Sequence, residues 1–422
     1  VITQHNKKGM SMLELGWLLY KLRYLPLLLL VLIMSACGGG GGSDHGAGGQ
    51  AAEEGDYDNA RVYKAESSYA GLLTTCALVD NTADSCSLSD LPLLVEEART
   101  PSVDQIMDRV IVSHQWMGVR FQQTIETYPG ELLRIFSSVA TIVIDDDIRP
   151  SYYDPYTSTI YLDAAYLWQT NAEKATISQD EDFRSGFDDE LDFVSLARYV
   201  EGFNDAWDYY ALDDNIERGV NDLRLNFARL LLHELMHAND FFPPNEIETL
   251  NQNQTLYEAL QSLRSKNIST QLNAVMPLGS TLMYGLADVM YSGDNANAEQ
   301  QQLSAAEVGE EMESDGANDG YGYSSQYEDV AMLFSEAMMK YFFDVDRDIA
   351  YTNRPGDNAF CDDYIVGWGM RGRMGDVNVK DRAQFVVESV YADLDFSLFF
   401  QNLPAPIMMR AGETWCDNLA VF

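Results

Sequence analysis

The sequence predicts an α+β fold with a small mixed sheet, a long central helix and a mostly helical C-terminal part. Three observations lead there. Two β-branched runs, "SSVATIVIDDDI" (137–148) and "TSTIYLDAAYLW" (157–168), have the composition of strands. A long helical pattern, "NDLRLNFARLLLHELMHAND" (221–240), follows them, with Asn221 as its cap and Pro243 and Pro244 to stop it. Beyond it, apolar residues recur at helical spacing near 254–265, 324–343 and 381–400.

The remaining segments are assigned by the same rules. Residues 102–129 have helical spacing through Ile106, Val110, Trp116, Val119 and Ile125. The stretch 171–220 reads as a polar connection. The Gly/Asn/Asp/Glu-rich span 292–322 reads as an exposed loop. The expected organisation is a helical N-terminal part (61–135), an α+β core (136–345) and a C-terminal helical extension packed on that core (346–422).

Hydrophobic residues make up 46% of 422, enough to bury a sizeable core. Charge narrows the partners. With 27 basic against 66 acidic residues the formal charge is −39, a field that repels nucleic acid and anionic lipid headgroups. At the N-terminus, basic residues precede the apolar run "LPLLLLVLIMSAC", which resembles a bacterial lipoprotein signal ending at Cys37. That resemblance implies export, a lipid on Cys37 and an outer-membrane address, with the Gly-rich segment 38–60 as tether. The alternative is an uncleaved anchor helix. Cys76, Cys86, Cys361 and Cys416 remain, an even number that suits two disulfides in an exported protein. The local pairing, Cys76 with Cys86 and Cys361 with Cys416, is the simplest of three.

The chemistry concentrates in "HELMH". Residues i and i+4 of a helix lie one turn apart on one face, so His233 and His237 can aim at a single metal ion. Glu234 sits beside that point, where it can hold a water and take its proton. No cysteine lies near, so thiolate ligation is not expected.

This motif on such a helix resembles the zincin metallopeptidases. The metzincin branch continues with a glycine and a third histidine, where this chain has Asp240 and Pro243. The gluzincin branch takes its third ligand from a glutamate on a later helix. Glu258 lies near the thermolysin-like spacing, but its helical neighbours are polar, which suits a surface charge. Glu328 stands at the start of the 324–343 helix, on the face carrying Ala331, Met332, Ser335, Met339 and Phe342. An unpaired carboxylate there would be costly, and a metal compensates it. Glu328 is the expected third ligand, with Glu336 in reserve, although Lys340 at i+4 offers Glu336 an ion pair. Asp329 and Asp240 are candidates to hold a ligand histidine from behind.

The resemblance implies a single Zn2+ held by His233, His237 and Glu328, with Glu234 as general base in peptide-bond hydrolysis. The chain lacks the G-x-M-E-N signature of one gluzincin aminopeptidase group, which tilts the expected activity towards an endopeptidase. The strand 158–168 is the candidate edge for an extended peptide substrate. Tyr284, Tyr321, Tyr323, Arg371 and Arg373 are candidate oxyanion donors. The acid-rich run 344–348 offers weak grounds for calcium. Two other functions stay open: hydrolysis of a cell-wall amide, and a zinc-holding or structural lipoprotein without turnover.

Overall fold

The computed structural model describes residues 57–79, 81, 84–180, 182–356 and 358–420. The signal (1–37), its Cys37 and most of the tether lie outside them. Among the described residues no helix is long and apolar enough to cross a membrane.

A first sheet has the strand order β1-β2-β3-β5-β4. Its strands are β1 (Arg61–Val62), β2 (Val110–Val112), β3 (Thr141–Asp145), β4 (Tyr152–Asp154) and β5 (Thr159–Asp163). β2, β3 and β5 are parallel, and β1 and β4 run antiparallel at the two edges. The three parallel strands are buried at every residue, which is why they read as continuous β-branched runs. The second sheet is antiparallel, in the order β10-β9-β8-β6-β7. It comprises β6 (Phe193–Glu201), β7 (Asn204–Asp205), β8 (Asp346–Asn353), β9 (Val366–Arg371) and β10 (Ile407–Met408).

Several expectations are corrected here. The 102–129 segment is not one helix: α1 (Val103–Met107) gives way to β2 before α2 (Gln115–Ile125) begins. Val110, Ile111 and Val112 are β-branched, and pairing with β3 overrides the helical spacing. The polar connection 171–220 contains β6 and β7, and the supposed helical extension 346–422 contains β8, β9 and β10. These strands were hidden because an ion cluster sits between them. Asp348 of β8 takes Arg198 of β6 at 2.8 Å and Arg371 of β9 at 2.6 Å, all three buried. The span 292–322 is also no simple loop. It holds a helix, Ala305–Glu313, whose Ala305, Val308, Gly309 and Met312 are buried at helical spacing. Because β2 pairs with β3 and β6 pairs with β8, the boundaries at 135/136 and 345/346 cut through sheets.

The central helix, α3 (Val220–Phe241), starts after Gly219 rather than Asn221 and ends ahead of the two prolines. Asp222 closes its first turn by accepting from the Gly219 N–H at 2.7 Å. From Leu230 to Phe241 every residue is buried, so packing on all sides holds this helix. Asn239 pins its far end. Its Nδ2 donates to the Ile135 and Leu235 carbonyls, both at 2.7 Å, and Ser138 Oγ donates to the Phe242 carbonyl at 2.6 Å. Later come α4 (Leu256–Leu263), α5 (Ala305–Glu313), α6 (Gln326–Phe343) and α7 (Val377–Val390). Cys76 and Cys86 stand at disulfide distance, as do Cys361 and Cys416, with Cα–Cα 5.3 Å in each pair.

At the end of β3, Asp145 is buried with Oδ2 unpartnered. Burial, followed by the neighbouring Asp146 and Asp147 charges, pushes its carboxyl up to about 7. The folded protein thus keeps a proton that the unfolded chain loses near pH 4, so this group weakens the fold as pH rises between those values. Asp145→Asn is expected to raise Tm at pH 8 by at least about 3 °C and to have a clearly smaller effect at pH 4.5. Thermal unfolding at both pH values checks this; equal shifts would remove the explanation.

Candidate metal centre

α3 and α6 pack together and bring three buried side chains to one point. His233 Nε2 lies 3.0 Å from Glu328 Oε2, and His237 Nε2 lies 3.6 Å from Glu328 Oε1. One donor atom from each of the three falls within 4.8 Å of the others. Glu328 is set in the first turn of α6, where Ser325 Oγ accepts from its backbone N–H at 3.1 Å. Donors about 2.1 Å from a tetrahedral ion stand about 3.4 Å apart, so the residues present fit a metal of that size. The Nδ1 atoms of both histidines are buried without a hydrogen-bond partner.

The electrostatics follow from the burial. Burial pushes Glu328 up, but His237 and His233 outweigh it and hold the carboxyl well below the usual range. Burial likewise pushes His237 down, and Glu328 reverses this and carries it up to about 9. Glu234, next to His233, has its carboxyl raised, chiefly by burial.

These residues form part of the wall of an open cavity of about 1100 Å³. Tyr152, Tyr153 and Asp154 of β4 line the same cavity. β5 pairs on both sides, with β3 and with β4, so the expected edge at 158–168 is corrected: β4 is the edge. Over the histidines stands Tyr321, its ring 6.2 Å from that of His233 and inclined by 24°. It rides on a 3-10 turn, Gly320–Tyr323, that Asp319 caps by accepting from Gly322 N at 3.2 Å. Arg347 of β8 holds the other oxygen of Asp319 at 2.6 Å. Gly320 is required there, because a Cβ would lie 2.7 Å from Tyr351 Oη. Burial raises the Tyr321 phenol well above its ordinary pKa, so it remains a donor.

The other sequence candidates are elsewhere engaged. Asp329 does not reach a histidine; it receives both Nη atoms of Arg382, at 3.0 and 2.5 Å. Asp240 accepts from Ser269 N at 2.7 Å, and burial pushes it up to about 6. Glu336 faces Arg347 at 3.5 Å and Asn318, while Lys340 pairs with Asp344 at 2.7 Å and Asp346 at 3.1 Å. The expected Glu336–Lys340 pair is therefore not formed. With Asp348 bound to two arginines, the acids of 344–348 are held by cationic side chains. Glu258 is exposed and closes the first turn of α4 with Thr255. Tyr323 donates to Asp315 at 3.0 Å, with Tyr284 against its ring. Arg371 and Arg373 are committed to Asp348 and to the Ala317 and Met312 carbonyls. Of the five proposed donors only Tyr321 lines the cavity.

Sequence reasoning missed Arg229, which also lines the cavity. Its position four residues before His233 was the available signal, since helical spacing puts it on the same face. Comparison of the chain with family models, curated proteins and solved structures finds no match. The site is thus defined by its own geometry, two histidines and a carboxylate in the wall of an open cavity.

Metal analysis of the dialysed full chain is expected to find one zinc in wild type and in Glu258→Gln. His233→Ala and Glu328→Gln should bind it at least about 100-fold more weakly. Zinc retained at wild-type affinity by Glu328→Gln would remove Glu328 from the ligand set.

Proposed function

We propose that the protein is a zinc-dependent peptidase, exported and held to a membrane by a lipid on Cys37. The observation that carries this reading is the meeting of His233, His237 and Glu328 in an open cavity with Glu234 beside them. The two cysteine pairs suit an oxidising compartment outside the cytoplasm.

A zinc ion held there supplies Lewis acidity, polarising a carbonyl oxygen and acidifying a water. The chain's own residues do the rest. β4 offers backbone groups at a sheet edge for an extended peptide to pair with. Glu234 takes a proton from the attacking water and returns it to the leaving amine. Burial raises its carboxyl above the ordinary range, which makes it a stronger base for the first half of that transfer. Tyr321 donates its phenolic hydrogen to the oxygen on which negative charge develops.

Glu234→Gln is expected to keep its zinc and lose about 10²- to 10⁴-fold in kcat on a peptide mixture followed by mass spectrometry. Unchanged turnover in that variant, or a zinc-loaded wild type that cleaves nothing, would end the peptidase reading. Tyr321→Phe should lower kcat by about 10- to 10³-fold with KM and zinc content little changed. A rise in KM alone would make Tyr321 a binding residue.

A further inference from the structure

The cavity wall contains four arginines, and they are not alike. Arg149 pairs with Asp163 at 3.0 Å, Arg184 with Asp182 at 2.5 Å, and Arg347 with Asp319 at 2.6 Å. Arg229 has no carboxylate partner among the described residues. The hydrogen bond it makes runs from Nη2 to the neutral hydroxyl of Tyr166, at 3.3 Å. In a chain with 66 acidic residues against 27 basic ones, carboxylates are plentiful, yet none of the described ones stands at ion-pair distance from this guanidinium, and Glu234 of the same helix acts on it only through space.

Its position is as telling as its lack of a partner. Arg229, His233 and His237 follow one another at successive turns of α3 and all three line the cavity. Arg229 is half-buried and lines the cavity, and its Nη2 donates to Tyr166, which steadies the group. A planar guanidinium held in this way is built to take a carboxylate through two parallel hydrogen bonds.

We propose that Arg229 is the binding residue for a carboxylate of the substrate, close to the bond that is cut. This rests on the peptidase reading and narrows it. The four residues from Arg229 to His233 rise about 6 Å along the helix, the span of one to two residues of extended chain. The carboxylate therefore belongs within about two residues of the scissile bond. It is either the C-terminus of the peptide, which makes the enzyme an exopeptidase, or the side chain of an Asp or Glu. The first source runs against the endopeptidase expectation.

The test is equilibrium binding by calorimetry to the zinc-loaded full chain, in a Glu234→Gln background that prevents turnover. The probes are acetyl-Ala-Ala-Phe with a free carboxylate and its amide, then acetyl-Ala-Ala-Asp-amide and its Asn counterpart. One carboxylate probe should bind about tenfold or more tighter than its neutral partner. A preference in the first pair assigns the C-terminus, and one in the second assigns an acidic side chain. Adding Arg229→Gln should reduce the preference to about twofold or less with zinc content and Tm retained, and Arg229→Lys should restore part of it.

No preference in either pair overturns the inference, with or without a folded variant. So does a preference that survives Arg229→Gln, since the carboxylate then sits on the metal. A preference that depends on Arg229, in a protein whose wild type cleaves no peptide, leaves the inference standing and removes the peptidase reading alone.

Discussion

Glu328 is a carboxylate shut between two helices, and its charge has to be answered inside the protein. α6 carries three such groups, Glu328, Asp329 and Glu336, all buried. Each has its own partner: the two histidines of α3, Arg382 of α7 and Arg347 of β8. A buried charge that loses its partner costs several kcal/mol, so each pair fixes one neighbour of α6 in place. The helix joins three parts of the fold through charge, while apolar packing fills the space between. Of the three partners, only the histidines can exchange a proton for a metal, and that sets the Glu328 end apart as a place for chemistry.

The second sheet lines part of the cavity and supplies no metal ligand. Arg347 leaves β8, spans the gap to Glu336 and holds Asp319, and Asp319 caps the turn that brings Tyr321 over His233. The position of Tyr321 therefore depends on a strand that contributes no metal ligand. On the opposite side, Asn239 and Ser138 tie the end of α3 to the turn ahead of β3. The histidines are thereby anchored to one sheet and the tyrosine to the other.

How much of this was legible depends on how local the signal is. His233, Glu234 and His237 share one helix, and the spacing alone aligns the histidines. Glu328 could be singled out because a carboxylate on an apolar helix face conflicts with burial unless something answers it. Asp329 sits one residue along, and its partner Arg382 is distant in sequence, so nothing nearby marked the pair. The second sheet was hidden for a related reason. Arg198, Asp348 and Arg371 are polar residues facing inward, and they break the alternation by which strands are recognised. β2 was misassigned because three residues are too few to show a period. In the span 292–322, glycines and acids drew attention away from Ala305, Val308 and Met312, whose helical spacing was present.

The strands that close the two sheets share one property. β1, β7 and β10 have 2 residues each and β4 has 3, with Pro150 and Pro155 flanking β4. An open edge is a template on which another copy of the chain can add a strand, and propagation needs a ladder long enough to outweigh the entropy of ordering. Edges this short hold few free backbone groups, and proline supplies none of the donors. Of the two long strands, β8 is paired on both sides, while β7 covers β6 only at Val200 and Glu201. At β4, 3 residues leave enough backbone to grip a short segment of another chain and too little to carry a growing ladder.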